Sequence, residues 1–125
     1  MDYNQALEAY SDYLKKNYAE SQTANYNQSF DVLFEDMVLF TKVTTVSFGA
    51  KNVHSFVVKE QHELKDGAGN TKIFYLGDIL AAADYHTPKL VPTCGNIITQ
   101  DYKNIRWSLA GTSSRRKPKM NLVSG

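Results

Sequence analysis

Three histidines, one cysteine and three arginines are the residues of this 125-residue chain best suited to chemistry, and their spacing excludes most of it. His54, His62, His86 and Cys94 form no H-x₃₋₅-H pair and no close cysteine–histidine set of the kind that holds zinc. Cys94 and a distant histidine could act as nucleophile and base, but nothing in the sequence brings the two together. His54 sits between Val53 and Ser55 in a strand-like run and reads as a structural histidine. Gly67-Ala68-Gly69 lies in a turn with no helix after it, so it is not a phosphate loop, and neither a G-x-S-x-G elbow nor a Walker loop occurs. The sequence therefore points to no catalytic residue, no metal ligand and no cofactor.

The richer stretch is GDILAAADYHTPKLVPTCGN, residues 77 to 96. An alanine run follows Gly77-Asp78, and the sequence predicts a short helix over Ile79–Tyr85 that ends before Pro88. Pro88 and Pro92 stiffen the path to Gly95-Asn96. Tyr85 is open to two readings, a ring presented at a pocket mouth or an aromatic that caps the core. Asn96 offers both a donor and an acceptor. Arg106, Arg115 and Arg116 are the guanidinium groups with which this chain could hold an anion bidentately.

Elements must position these groups. Asp2 and Gln5 have the spacing of a capping box, and Tyr3, Leu7, Tyr10 and Leu14 then mark one face of an amphipathic helix. That face suits core or subunit packing, and the helix is expected to fray within Asn17–Ser29. MVLFTKVTTVSF and NVHSFVVK read as an antiparallel hairpin, and DGAGN as a turn into a strand TKIFYL. NIITQ and NIRWSLA are further strand-like pieces. The class expected is α+β: an N-terminal helix or helices packed on an antiparallel sheet, with a short inserted helix. Residues 1–112 form a single domain in this reading, and 113–125 a basic flexible tail.

Composition narrows the partners. One cysteine allows no internal disulfide, and the length suffices for a modest core without a metal staple. The sequence contains no run apolar and long enough to span a membrane, and its start is polar and acidic, so a soluble intracellular protein is expected. Residues 1–36 carry seven acids against two lysines, whereas RRKPK, Arg115 to Lys119, adds four positive charges. Without that segment ten basic residues face thirteen acidic ones, which speaks against a broad nucleic-acid surface.

Residues 40 to 107 resemble a family of small bacteriophage proteins, the Thoeris anti-defence sponges. The resemblance rests on NVHSFVVK and on Gly77, Asp78, Ile79, Ala81, Tyr85, Pro88, Gly95, Asn96 and Ile97, which fall in the family's order. Cys94 stands where the family pattern has arginine, and the loop containing Pro92 is one residue longer. The resemblance implies a non-enzymatic protein of the host cytoplasm that sequesters a cyclic ADP-ribose-like signal, or a cyclic oligonucleotide, without degrading it. It implies that Tyr85 and Asn96 contact the ligand; stacking of a base on such a ring is worth about 1–3 kcal/mol. Arg106, Arg115 and Arg116 are then the groups for its phosphates, with the tail closing over the pocket. Tyr85 and Asn96 are expected at one cavity, and a homodimer or higher homo-oligomer, joined through the Tyr3/Leu7/Tyr10/Leu14 face, is the expected assembly. The alternative is a small nucleic-acid- or protein-binding module that works through its basic tail.

Overall fold

The computed structural model describes residues 2–21, 29–47, 49–65 and 67–111. The chain opens with helix α1, Tyr3–Ser21. Its start is fixed reciprocally: the Gln5 amide donates to Asp2 Oδ1 at 2.8 Å, and the Asp2 amide donates to Gln5 Oε1 at 3.1 Å. The helix runs four residues past Asn17, so the expected fraying zone begins later than its polar sequence suggests. No helix among the described residues is long and apolar enough to cross a membrane.

Among the described residues nine strands follow: β1 (Phe30–Asp36), β2 (Phe40–Ser47), β3 (Ala50–Val58), β4 (His62–Lys65), β5 (Thr71–Phe74), β6 (Asp78–Ala82), β7 (Pro88–Asn96), β8 (Ile105–Arg106) and β9 (Leu109–Ala110). Five of them form one antiparallel sheet in the order β1-β2-β3-β6-β7, leaving β1 and β7 at its edges. The fold is α+β, with α1 packed on an antiparallel sheet.

Successive residues of a strand face opposite sides of a sheet, and that alternation builds two cores. On one face Val43, Val57 and Ile79 pack against Ala6, Leu7, Tyr10 and Leu14 of α1. On the other, Phe56, Val58 and Leu80 pack under the β4–β5 hairpin through Phe74. Leu7, Tyr10 and Leu14 are thus buried in the protomer's own interior, and this face is not free to join subunits.

The inserted helix is a strand. Ile79, Leu80 and Ala81 pair with Val57, Phe56 and Ser55, and Ile79 and Leu80 are both fully buried on opposite faces. Alanine favours helix, but burial on both sides of a central strand outweighs that small preference. NIITQ also departs from expectation, because residues 97–100 form a turn. NIRWSLA makes the small β8–β9 hairpin.

Three irregularities interrupt the ladders. On β3, Val43 pairs with Ser55 and Thr44 with Val53, so His54 is an extra, bulged residue. On β7, Gly95 faces Ile79 while Thr93 faces Leu80, which leaves Cys94 extra in the same way. Farther along, Thr93 and Pro88 face Leu80 and Ala82, so Lys89–Pro92 bow away from the ladder. Proline has no amide hydrogen to give a ladder, and both prolines of β7 sit where none is needed, at a strand start and in a bow on an edge. Gly95 has a different constraint: a Cβ there would run into the Asp101 carbonyl oxygen.

Candidate ligand-binding site

The β6–β7 turn, residues 83–87, reaches Lys42 of β2 through Tyr85. Asp84 shapes it by accepting from the His86 amide at 2.8 Å, and the Ala83 amide donates to the Thr87 carbonyl at 2.8 Å. These bonds to backbone and side chain hold the Asp84 carboxyl below its usual range. The turn carries Tyr85, which is 56% exposed. Beneath it lies Lys42, buried in the sheet: its Nζ stands 4.1 Å from the ring centroid and donates to the Tyr85 carbonyl at 3.2 Å. Glu35 Oε1 is 3.7 Å from the same Nζ. An ammonium taken out of water needs such partners, and here it holds an aromatic ring in place through one of them.

Tyr85 roofs a cavity of about 290 Å³ together with Leu33, Phe34, Glu35, Thr44 and Lys51. The arrangement offers a ring for stacking, a hydroxyl, a carboxylate and a cation within one depression. Lys42 and Lys51 were not singled out by the sequence. For Lys42 the available signal was its placement inside the β-branched run FTKVTTV, where a lysine at an inward position must find partners; exposed Lys51 carried no such signal.

Asn96 is elsewhere. It pairs with Asp78 at the start of β6, whereas Tyr85 follows Ala82 at its end; four strand residues put about 13 Å between those positions. Its side chain is also fully engaged. Nδ2 donates to the Leu76 carbonyl and to Asp78 Oδ1, both at 3.0 Å, and Oδ1 accepts from the amides of Ile98 at 2.8 Å and Thr99 at 3.1 Å. Asn96 therefore locks the turn after β7 instead of sharing a cavity with Tyr85. Arg106 is exposed on β8 and lines neither cavity; its carbonyl is a fold contact. Arg115 and Arg116 lie outside the described residues.

A second cavity, of about 300 Å³, brings Cys94 and His54 together. They are not a nucleophile–base pair. His54 Nε2 is 2.6 Å from the Arg106 carbonyl, an acceptor only, so Nε2 carries the proton. Nδ1 then accepts from the Ser55 hydroxyl at 2.9 Å, whose oxygen accepts in turn from Tyr10 Oη at 2.9 Å, and no ring nitrogen is left for a substrate. Burial pushes the Cys94 thiol up, which keeps it protonated and a poor nucleophile.

Burial also lowers the His54 pKa, although its bonds to backbone carbonyls oppose the shift. The folded state thus takes up the proton less readily than the unfolded chain, whose histidine titrates near 6.5. This contribution to stability is fully present above about pH 6.5 and falls below it, by up to about 1.4 kcal/mol per pH unit while folded His54 stays neutral. Thermal melts between pH 7.5 and 5.5 should show a decline that His54→Gln reduces. Parallel pH profiles for the two proteins would refute this account of His54.

Comparisons of the chain with protein-family models, with curated proteins and with solved structures gave no match.

Proposed function

We propose that this protein is a non-catalytic binder that captures a small nucleotide-type anion at the Tyr85 cavity. The observation that carries the reading is the half-exposed Tyr85 ring, held over Lys42 and facing a cavity that Lys51, Thr44 and the Glu35 carboxylate also line. A nucleobase offers a flat face to such a ring, and a phosphate offers charge to a lysine. The engagement of both His54 nitrogens and the protonated state of Cys94 support capture over turnover.

The resemblance to the anti-defence sponges supports a cyclic ADP-ribose-like signal, or a cyclic oligonucleotide, as the ligand and sequestration in a host cytoplasm as the role. The cavity stands at the small end of the range of about 300–1,000 Å³ typical of ligand sites, so it seats one end of such a molecule. A second copy of the chain, or Arg115 and Arg116 of the tail, would then cover the rest.

Calorimetry with cyclic ADP-ribose tests the reading. Nanomolar binding, about −12 kcal/mol, is expected of a sponge. Tyr85→Ala should weaken it by about 5- to 150-fold, the equivalent of 1–3 kcal/mol of stacking, while the melting temperature barely moves. Heating the loaded protein should return intact ligand in an amount matching the sites. A hydrolysed or linearised product that grows with time would replace the binder with an enzyme.

A further inference from the structure

The three ladder irregularities converge on the second cavity. His54, Cys94, Lys89 and Pro92 all line it, and each belongs to a bulge or bow of its strand. A bulge costs ladder bonds and re-aims a side chain, and such departures cluster beside functional sites. Most of the remaining wall is apolar, with Ala81 and Ala82 of β6 and Leu109 and Ala110 of β9.

The roof is fixed from three sides. Tyr13 Oη donates to the Ile105 carbonyl at 2.6 Å, the Trp107 amide donates to Asn17 Oδ1 at 2.8 Å, and His54 Nε2 donates to the Arg106 carbonyl. The β8–β9 hairpin is thereby tied to α1 and to the β3 bulge, and the cavity is a preformed one. Its charge is one-sided, since Lys89 lines it and, among the described residues, no aspartate or glutamate does. Lys89 is exposed, and Ser108 adds a hydroxyl to the lining.

We propose that this cavity is a second binding site, distinct from the Tyr85 site, for a small amphipathic monoanion, with its apolar body against Ala81, Ala82 and Leu109 and its carboxylate at Lys89. A fragment-sized ligand fits a volume of about 300 Å³, and the body needs no hydrogen-bond partner. Dianions such as nucleotides find a single lysine here and no aromatic ring. Binding is non-covalent, because the Cys94 thiol serves only as a soft wall.

The test is an NMR titration of the ¹⁵N-labelled full chain with octanoate, using 1-octanol as the uncharged probe. Octanoate should cause saturable shifts at the amides of Ala81, Cys94, Ala110 and Gly111 that leave Tyr85 unmoved. Octanol should bind at least 5-fold more weakly. Lys89→Gln, a change at an exposed position, should reduce octanoate affinity by about the same factor, and Ala81→Leu should abolish the shifts by filling the space. Absence of saturable shifts at those amides would overturn the site. Equal binding of octanoate and octanol, or no effect of Lys89→Gln, would overturn its anion selectivity. None of these readouts depends on the Tyr85 cavity, so the two sites stand or fall separately.

Discussion

Replacing Tyr10 by alanine is expected to cost about 3–5 kcal/mol, the range for deleting a large ring from a close-packed core. Tyr10 has no exposed surface, stacks on Tyr102 with centroids 5.6 Å apart, and is bonded to Ser55 Oγ at 2.9 Å. Its surroundings are so dry that burial holds the phenol well above its usual pKa. Domains are commonly stable by only about 5–15 kcal/mol, so the loss should lower the melting temperature by at least about 10 °C. Tyr10→Phe keeps the ring but leaves the buried Ser55 hydroxyl short of a partner, at a cost of about 1–3 kcal/mol. A Tyr10→Ala protein that melts within about 2 °C of the parent would show that the α1 face is not the core.

Asn96→Ala should be nearly as damaging, at about 2–4 kcal/mol, because it removes four hydrogen bonds that join the start of β6 to the turn after β7. If the Tyr85 cavity binds as proposed, the folded fraction should keep parental affinity for cyclic ADP-ribose, since that cavity lies at the other end of the hairpin. Asn96→Asp separates the two halves of the side chain: it keeps the acceptor for the Ile98 and Thr99 amides but sets a carboxylate against Asp78. Urea melts of both variants check the stability, and calorimetry on the folded protein checks the binding. A stable Asn96→Ala protein that has lost ligand affinity would return Asn96 to the binding site.

The sequence made the helix and the first hairpin legible for physical reasons that can be named. The Asp2/Gln5 capping box and the Tyr3/Leu7/Tyr10/Leu14 face are local, and both depend on residues within one or two turns of each other. Ile79–Ala82 was illegible for the opposite reason. Four apolar residues show no period, and only the pairing with β3 on one side and β7 on the other makes them a strand. Strand β1 is hidden similarly, since FDVLFED buries a single residue and carries three acids, as an edge strand can.

The site divides along the same line. Tyr85 could be singled out because a tyrosine beside prolines in a turn stands where side chains are presented to solvent. Asn96 has the same composition signal, yet its amide is spent on backbone groups up to twenty residues away, which no local pattern reveals. Lys42, Lys51 and Lys89 acquire meaning from what surrounds them in space. The His54 and Cys94 bulges are properties of strand pairs and cannot be read from either strand alone.

The two edges of the sheet have one more consequence. An open strand edge is a template on which a further chain can add, and it is a common start of uncontrolled aggregation. Here β7 presents Pro88 and Pro92 in a bowed segment, and β1 presents Asp31, Glu35 and Asp36, each paired with a lysine of another element. Two antiparallel β1 strands meeting edge to edge would set acid against acid, and β7 would offer an interrupted ladder. Among the described residues, the main sheet thus presents no uncharged, uninterrupted edge from which cross-β growth could be templated.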